Sequence, residues 1–596
     1  MNNKLVYPFD SIEILRKSSS FKKELLKNKN LIEIKIFVAS GATTDEIIKI
    51  LEIFLLNVGI RPIFLQGNYG LFFEDLAFEN QELVDFKPDI IYVHSSFKNL
   101  INIPNIINGS DEVNDKLNNE FERLIGIWSY IRQTYNCSII QNNFELPPTR
   151  PLGNLENSHH SGLVNFINKL NLLISDYANK NKNFYINDIN YLSSFHGINQ
   201  WFSLQDWHRS KHSVTLKFVP YLAYNISNII SSLYGKSKKA LVLDLDNTLW
   251  GGVIGDDGIS GIKIGHGSPV SEAFLEFQKY IKDLRDRGVL LSIVSKNEMI
   301  SALEGINHSE GILKESDFVS IKANWSNKAD NIEEIAKELN IFNDALVFVD
   351  DNPVERELVK QFLPEVAVLK ITDDISDYIS ILDKSGFFET SSVSNDDLKR
   401  NESFKANKER IKFKKSAKNY NEYLLSLEMK AIIKEYQGHH LDRISQLVNK
   451  TNQFNLTNRR YSSSNISSFI ESEDYIVMFG NLNDKFAEYG VISVIVCKVL
   501  PLGIEIDTWV MSCRVFKRGM EFAMFDELVR IASKLGKIEI NGEHIPSAKN
   551  SIVSDLYSSL GFKLVEDAQS DSDKTLYKMS ISNYLSKNNT IEVINE

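Results

Sequence analysis

Cysteine is scarce in this chain: three among 596 residues, at Cys137, Cys497 and Cys513. Three scattered thiols cannot build a disulfide framework or a zinc site, and they point to a reducing compartment. Long apolar runs are missing as well. The most hydrophobic early stretch, IIKILEIFLLNVGIRPIF, is broken by Lys49, Glu52 and Arg61. No segment reaches the roughly 18 consecutive apolar residues of a membrane span. The N-terminus, MNNKLVYPFDSIEILRK, has no signal-peptide apolar core. A cytoplasmic protein with no membrane partner is expected. Basic charge is also in deficit, with 67 Lys and Arg against 78 Asp and Glu. That argues against nucleic acid as a partner, because its binders carry a basic domain or stripe. Small anionic substrates in local positive pockets remain compatible with it.

What is present reads as globular and α/β. A length of 596 residues is too much for one core and suggests two to four domains. Residues 1–235 alternate apolar runs such as LIEIKIFVAS, DIIYVHSS and CSIIQNNF with amphipathic stretches. After the polar run YGKSKK, residues 236–388 read as strand–helix repeats. ALVLDLD, VLLSIVS and ALVFVDD are buried parallel strands, apolar until polar residues close them. Ser268-Pro269 opens a helix whose stripe is Phe274, Phe277, Ile281 and Leu284, and Gly288 ends it. Residues 389–430 are charged and suggest a helical connector. Residues 431–580 form a third α/β segment, with strands near YIVMFG, GVISVIVCKV and IEIDTWVMS, and 581–596 is expected to be a frayed tail.

In open parallel sheets, ligands sit at the carboxyl ends of strands. The three central strands place their polar residues there. Phosphoryl transfer through an aspartyl intermediate needs a carboxylate nucleophile, an acid/base, a cation and a metal. Asp244 would attack phosphorus. Asp246, two residues on, would protonate the leaving oxygen and later activate water. Ser295 would hydrogen-bond the transferred group. Lys328 opens a helix near whose N-terminus anions are favoured. Asp350 and Asp351 would complete a Mg2+ site with Asp244 and Asp246. A lone Asp-x-Asp is often only a turn or cap; the ordered set on successive strands is far more specific. Between the motifs there is room for a Gly-rich flap, GGVIGDDGISGIKIGHG, but for no cap domain, so an open site is expected.

The runs DLDNTLWGGVIGDDG, SKN, NW followed by lysine, and VDDNPVER resemble the FkbH-like branch of the haloacid-dehalogenase (HAD) superfamily. That resemblance implies Asp244 as nucleophile, Asp246 as acid/base, Ser295 and Lys328 as second- and third-motif residues, and Asp350 and Asp351 as fourth-motif acids. Thr248 and Asn297 are implied near the substrate; Asn247, Trp250, Asn352, Glu355 and Arg356 also fall on the pattern. KTNQFNLTNRRYS, SCRVFKRGMEFAMFDEL, GEHIPSAKN and LYSSLGF resemble the C-terminal part of the same family, which is similar to GNAT acyltransferases. In a GNAT fold the turn at Arg514, Arg518 and Gly519 would face a pyrophosphate. Lys517 stands where the pattern has its first glycine, which puts coenzyme A in doubt.

Cys513, just before that turn, is a candidate acyl carrier; a buried cysteine ending a strand is the alternative. Asn452, Gln453, Asn455, Arg459 and Arg460 suggest either a basic pocket or a helix end, and His544 either a base or a loop residue. The N-terminal segment resembles an SGNH-hydrolase-like domain through Ser40-Gly41, Gly67-Asn68 and Asp206-Trp-His208, with its catalytic blocks incomplete. It is expected to be a scaffold. The family resemblance implies that 1,3-bisphosphoglycerate supplies a glyceryl group to the thiol of a holo acyl carrier protein, with phosphate removed. A stand-alone phosphatase or a GNAT-type acyltransferase in surface-glycan synthesis is the alternative.

Overall fold

Strands buried on both faces are largely apolar, and the two fully buried strands Ile90–His94 and Ser138–Asn142 lie inside a five-stranded N-terminal sheet whose edge strand Ile60–Gln66 alternates buried and exposed residues. The strands of this sheet are β1 (Ile32–Ser40), β2 (Ile60–Gln66), β3 (Ile90–His94), β4 (Ser138–Asn142) and β5 (Phe184–Asn187), all parallel in the order β2-β1-β3-β4-β5. The helix Ser110–Tyr135 covers this sheet through Val113, Leu117, Leu124, Ile127, Trp128 and Ile131, the three-and-four spacing of one helical face. The computed structural model describes residues 2–28, 31–402, 404, 410, 419–436, 438, 440–547, 549–565 and 574–594. It divides into two compact units, Met1–Leu233 with Ser462–Asn465, and Tyr234–Tyr461 with Ile466–Glu596. No described helix is long and apolar enough to cross a membrane.

The second unit holds two sheets. The first contains β6 (Ala240–Leu243), β7 (Leu290–Ser295), β8 (Phe318–Ala323), β9 (Leu346–Val349) and β10 (Ala367–Val368), parallel in the order β10-β9-β6-β7-β8. The helix Pro269–Asp286 begins as its sequence suggests: Ser268 Oγ accepts the Ser271 N–H, and proline stands in the first turn. Phe274, Phe277, Ile281 and Leu284 are its buried stripe. No folded cap interrupts the motifs; the flap holds only the short helix Ile254–Gly261 and a bridge between Gly251 and Lys263.

The second sheet of this unit has nine strands and is mixed. It contains β11 (Met429–Glu435), β12 (Phe454–Asn455), β13 (Tyr475–Asp484), β14 (Ala487–Val499), β15 (Gly503–Met511), β16 (Glu539–His544), β17 (Lys563–Leu564), β18 (Thr575–Ser580) and β19 (Ile591–Val593). Strands β13, β14 and β15 are antiparallel neighbours, while β16 runs parallel to β15 from Gly503↔Glu539 to Ile506↔Gly542. Beyond that point β12 pairs with β15 instead, at Phe454↔Met511 and Asn455↔Val510. The helix Met520–Lys534 packs Met524, Phe525 and Leu528 into a core that includes Trp509.

One expectation changes. Residues 591–593 do not belong to a frayed tail, because β19 pairs in parallel with β11 and Ile591 is buried in the core. Asp526 holds its approach by accepting the N–H groups of Lys587 (3.1 Å) and Asn588 (2.9 Å). The charged segment 389–430 is helical at 395–398, 400–402, 404, 410 and 420–425, and residues 403, 405–409 and 411–418 lie outside the described residues.

The entry to β6 passes close to the helix Leu441–Lys450. Gly235 has φ +67°, and a Cβ there would stand 2.3 Å from the Asn449 carbonyl oxygen. Both the backbone angle and the space demand glycine. Gly235→Ala is expected to destabilise the second unit by about 1–3 kcal/mol. A lower urea midpoint for that unit's transition would show it, and an unchanged midpoint would contradict it.

Candidate active site

The parallel registers decide which side chains meet. Leu243 is level with Val349 on β9 and with Ile293 on β7, so Asp244 and Asp350 leave adjacent strands side by side. Ser295 ends β7 two residues further on. Lys328 is the first residue of the helix Lys328–Leu339, whose start is capped by Asn327 accepting the Ala329 N–H. Its ammonium lies 2.9 Å from Asp244 Oδ2 and 2.7 Å from Asp350 Oδ2. All three residues are buried. The Ser295 hydroxyl also bears on the Asp244 carboxyl.

Charge at this edge is unbalanced. Asp244, Asp350 and Asp351 each offer a carboxylate oxygen, all within 4.8 Å of one another. One ammonium faces three acids. Burial pushes the Asp244 carboxyl up to about 6, with Lys328 opposing and Asp350 adding to the rise. Burial likewise raises Asp350 and Asp351. Asp244 Oδ1 is buried and has no hydrogen-bond partner. A buried lone pair beside two further hard oxygens fits a divalent cation of the Mg2+ kind.

Asp246 is placed differently from its expected metal role. Its Oδ1 accepts from Trp250 Nε1 (2.9 Å) and the Ile254 N–H (3.1 Å), and its Oδ2 accepts from Asn297 Nδ2 (2.8 Å). Its carboxylate is thus committed to the flap and the second motif, and does not join the acidic cluster. Asn297 also donates to Ser295 Oγ at 3.1 Å, and Thr248 Oγ1 accepts the Asp351 N–H at 3.2 Å. Both are in the site, as positioners of its acids. Arg356 donates to the backbone oxygens of Asp350 (2.6 Å) and Asp351 (2.7 Å), pinning that loop. The ion pair Lys296–Glu355 (2.5 Å) ties the second motif to the fourth; residue type alone carries no sign of this pairing.

The C-terminal candidates turn inward. The Cys513 backbone oxygen accepts from Asn340 Nδ2 at 3.1 Å, at the far end of the Lys328 helix. Twelve helical residues put that end about 18 Å from Lys328. The Cys513 side chain packs against the apolar core of the first sheet of this unit, and six residues separate it from the start of the helix Met520–Lys534. Cys513 opens the one-turn 3-10 helix Cys513–Val515, short of the longer helix Met520–Lys534. Arg514 is buried with Nε on Ser512 Oγ (3.3 Å), and burial pushes its guanidinium down to about 9. Arg518 pairs with Asp484 (3.1 Å) and donates to the Arg514 carbonyl (2.7 Å). Both arginines serve the interior, where the buried Asp484 also takes Arg410 at 3.0 Å. Gly519 has φ +83° and precedes the helix as expected, while Lys517 adopts φ +62° in the position of the missing glycine.

The remaining basic candidates are also engaged. Arg459 pairs with Asp507 (3.0 Å) and Glu543 (2.5 Å), so it does not line a free pocket. Arg460 closes the helix Leu441–Lys450 by donating to the carbonyls of Val448 (2.6 Å), Asn449 (2.9 Å) and Thr451 (2.6 Å). His544 ends a strand and is buried, not in a loop. Cys137 and Cys497 are buried, and burial pushes both thiols up, which suits packing.

In the N-terminal unit Ser40 Oγ bonds to Thr44 Oγ1 at 2.9 Å, and neither His94 nor His208 is among its hydrogen-bond partners. His94 Nε2 meets Ser213 Oγ at 3.0 Å, which looks like a nucleophile and base. Tyr92 Oη at 2.9 Å and the Asn142 amide flank His94 Nδ1. The Asn142 amide oxygen accepts Asn187 Nδ2 (2.7 Å), and its nitrogen donates to the Ser95 carbonyl (3.0 Å) and to His94 Nδ1 (3.2 Å). The groups behind His94 are thus a phenol and an amide, and neither is the carboxylate that orients the base of a catalytic triad.

Residues 61–231 match the family model described as FkbH, N-terminal domain. The N-terminal part of the protein BF1531 from Bacteroides fragilis, whose crystal structure contains a phosphatase domain complexed with Mg, is 28% identical. It covers 64% of this chain and 100% of its own, with a TM-score of 0.59. The Escherichia coli ribosomal-protein-S18-alanine N-acetyltransferase matches 25% of this chain and 94% of its own, at 16% identity and a TM-score of 0.21. No curated protein matches the chain.

Removing the cation between the acids leaves them uncompensated. Lys328→Met is expected to cost about 3–5 kcal/mol at neutral pH. A carboxyl raised to about 6 in the folded state favours folding below its unfolded value and loses that contribution as pH rises through about 6. The deficit of the variant should therefore shrink between pH 7 and pH 5 in urea titrations. A deficit that is the same at both pH values would contradict this role.

Proposed function

We propose that this chain is an FkbH-like phosphatase that hydrolyses a phosphorylated small molecule through an aspartyl-phosphate intermediate. The observation that carries this reading is the Lys328 ammonium held between Asp244 and Asp350, beside an unpartnered oxygen of Asp244. Asp244 Oδ attacks phosphorus while the ester oxygen leaves and takes a proton from Asp246. Water then attacks the same phosphorus, gives a proton to Asp246, and frees phosphate with Asp244 restored. Trp250, Ile254 and Asn297 hold the Asp246 carboxyl in one place throughout. Lys328 and Ser295 bind the transferred oxygens. Asp244, Asp350 and Asp351 are the side chains that would hold Mg2+, which supplies positive charge against the phosphoryl oxygens.

The fuller activity is glyceryl transfer. 1,3-Bisphosphoglycerate is an acyl phosphate open to thiol attack, and its remaining phosphate ester suits the Asp244 centre. The packing of Cys513 against a core favours direct attack by the thiol of a holo acyl carrier protein, with no thioester on the enzyme. That same packing supports the second reading, a phosphatase without acyl transfer.

Asp244→Asn should lower phosphate release from phosphorylated substrates by roughly 10³-fold or more, and EDTA should stop it. Incubation with bisphosphoglycerate, magnesium and a panel of holo-carrier proteins should add a glyceryl mass to one of them, equally in Cys513→Ala. Phosphate release without any mass gain would leave the simpler phosphatase. Full release by Asp244→Asn would sink both readings.

A further inference from the structure

The Asp244 edge of the central sheet is rimmed by apolar side chains left in water. Four adjacent strands build that edge, in the order β9-β6-β7-β8. Each is followed by an exposed apolar residue at or just before the start of the next helix. After β6 it is Val253, after β7 Met299 and Ile300, after β8 Trp325, and after β9 Val354. A single apolar residue on a surface needs no explanation. One from every loop of the same sheet edge, around a set of buried charges, does.

Trp325 is the largest of them. It is 69% exposed, and the other tryptophans are buried or half-buried. The loop that carries it is firmly held. The Asn324 N–H donates to the Ser295 carbonyl oxygen at 3.1 Å. The side-chain amides of Asn324 and Asn331 donate to each other, at 3.2 and 2.9 Å. The indole Nε1 donates to Glu298 Oε1 at 2.8 Å. Glu298 directly follows Asn297, which donates to Asp246 and Ser295, and Lys328 lies three residues beyond Trp325. The indole is thus bracketed by the residues that carry the site. Its nitrogen edge is tied to Glu298, and most of the ring is left in water.

The direction of the reaction gives that ring a use. In the aspartyl-phosphate mechanism the departing oxygen takes its proton from Asp246, so the leaving group lies on the Asp246 side. Asn297 holds Asp246 from that side, and its neighbour Glu298 holds the indole. With no cap domain to enclose the leaving group, the rim is what remains to recognise it. On the phosphatase reading above, we propose that Trp325 is a specificity-determining residue that stacks on the leaving group. The substrate class is then a phosphate monoester whose alcohol carries a flat or apolar body. A pinned aromatic face recognises such a body by contact area, and it offers little to a fully polar alcohol.

The test compares phenylethyl phosphate with glycerol phosphate, in the full-length protein with magnesium. Both are alkyl esters, so the acidity of the leaving alcohol does not decide between them. The parent protein should have a KM for the phenylethyl ester about tenfold or more below that for glycerol phosphate. Trp325→Ala should raise the phenylethyl KM about tenfold and hold kcat within about twofold. Trp325→Phe should recover part of the loss. Glu298→Ala, which keeps the ring and frees it, should fall between. Iodide quenching of tryptophan fluorescence gives a readout independent of turnover, with Trp325→Phe as its baseline. Saturating phenylethyl phosphate should shield Trp325 from iodide, and glycerol phosphate should not.

Equal KM values for the two esters in the parent, or a phenylethyl KM indifferent to Trp325→Ala, would overturn the assignment. So would a kcat lowered alike for both esters, which would make Trp325 a support for the Lys328 loop. Shielding without hydrolysis of either ester keeps the platform and rejects the phosphatase reading. Hydrolysis without shielding does the reverse, and the absence of both rejects both. Should Trp325→Ala fail to fold, Trp325→Phe and Glu298→Ala carry the same comparison.

Discussion

The Lys328 ammonium holds two buried acids, Asp244 and Asp350, together beside half-buried Asp351. Without a cation, Asp244, Asp350 and Asp351 could not share the end of a sheet, because each was taken out of water at a cost that pairing must repay. The rest of the central sheet serves that meeting. The register of β6 against β9 sets Asp244 beside Asp350, and the Asn327 cap starts the Lys328 helix at the one residue whose side chain reaches both. Arg356 fixes the loop from below through backbone oxygens, and Asn297 and Trp250 take Asp246 out of the acidic cluster. Two carboxylates two residues apart in sequence therefore have separate work. One is buried among charges. The other is steadied by neutral donors.

Much of this was legible before any coordinates. The strands of the central sheet announce themselves as apolar runs ending in carboxylates, and Ser268-Pro269 marks a helix start by local chemistry alone. The order of Asp244, Ser295, Lys328 and Asp350 along the chain suffices to place them together, because parallel strands present their carboxyl ends on one edge. What escaped depends on partners far away in sequence. The commitment of Asp246 to Asn297 spans 51 residues. The last strand looks like a polar tail, since its pairing edge on β11 lies more than 150 residues upstream. Cys513 and the two arginines after it read as ligand-facing because the turn that carries them has the right residue types. The Asp484 carboxylate that consumes Arg518 belongs to another strand.

That last case separates charges that are available from charges that are spent. Arg459, Arg514 and Arg518 all have internal partners, so the basic look of the C-terminal motifs reports interior neutralisation. The mixed sheet pairs β15 with β16 only as far as Ile506↔Gly542, and beyond that point β12 pairs with β15 at Asn455↔Val510 and Phe454↔Met511. The chain thus covers that stretch of β15 with its own backbone. The weight of the chemistry shifts toward the Asp244 edge, where oxygen atoms remain without partners.

The two ends of β6 then pose one electrostatic problem with opposite signs. An excess of acid lies at one end and an excess of base at the other, about 16 Å apart along the strand. At an effective dielectric near 20, unit charges at that distance attract by only about 1 kcal/mol. The cost of holding each cluster out of water is several kcal/mol per ion, so neither end can neutralise the other. Each must be balanced by something close by. At the acidic end a divalent cation meets that need, and its oxygen ligands are already convergent. At the basic end the Asp344 carboxylate and the carbonyls of Val448, Asn449 and Thr451 meet it. A four-residue strand buried along its whole length fixes the distance between the two. Each end then keeps its own balance without altering the geometry of the other.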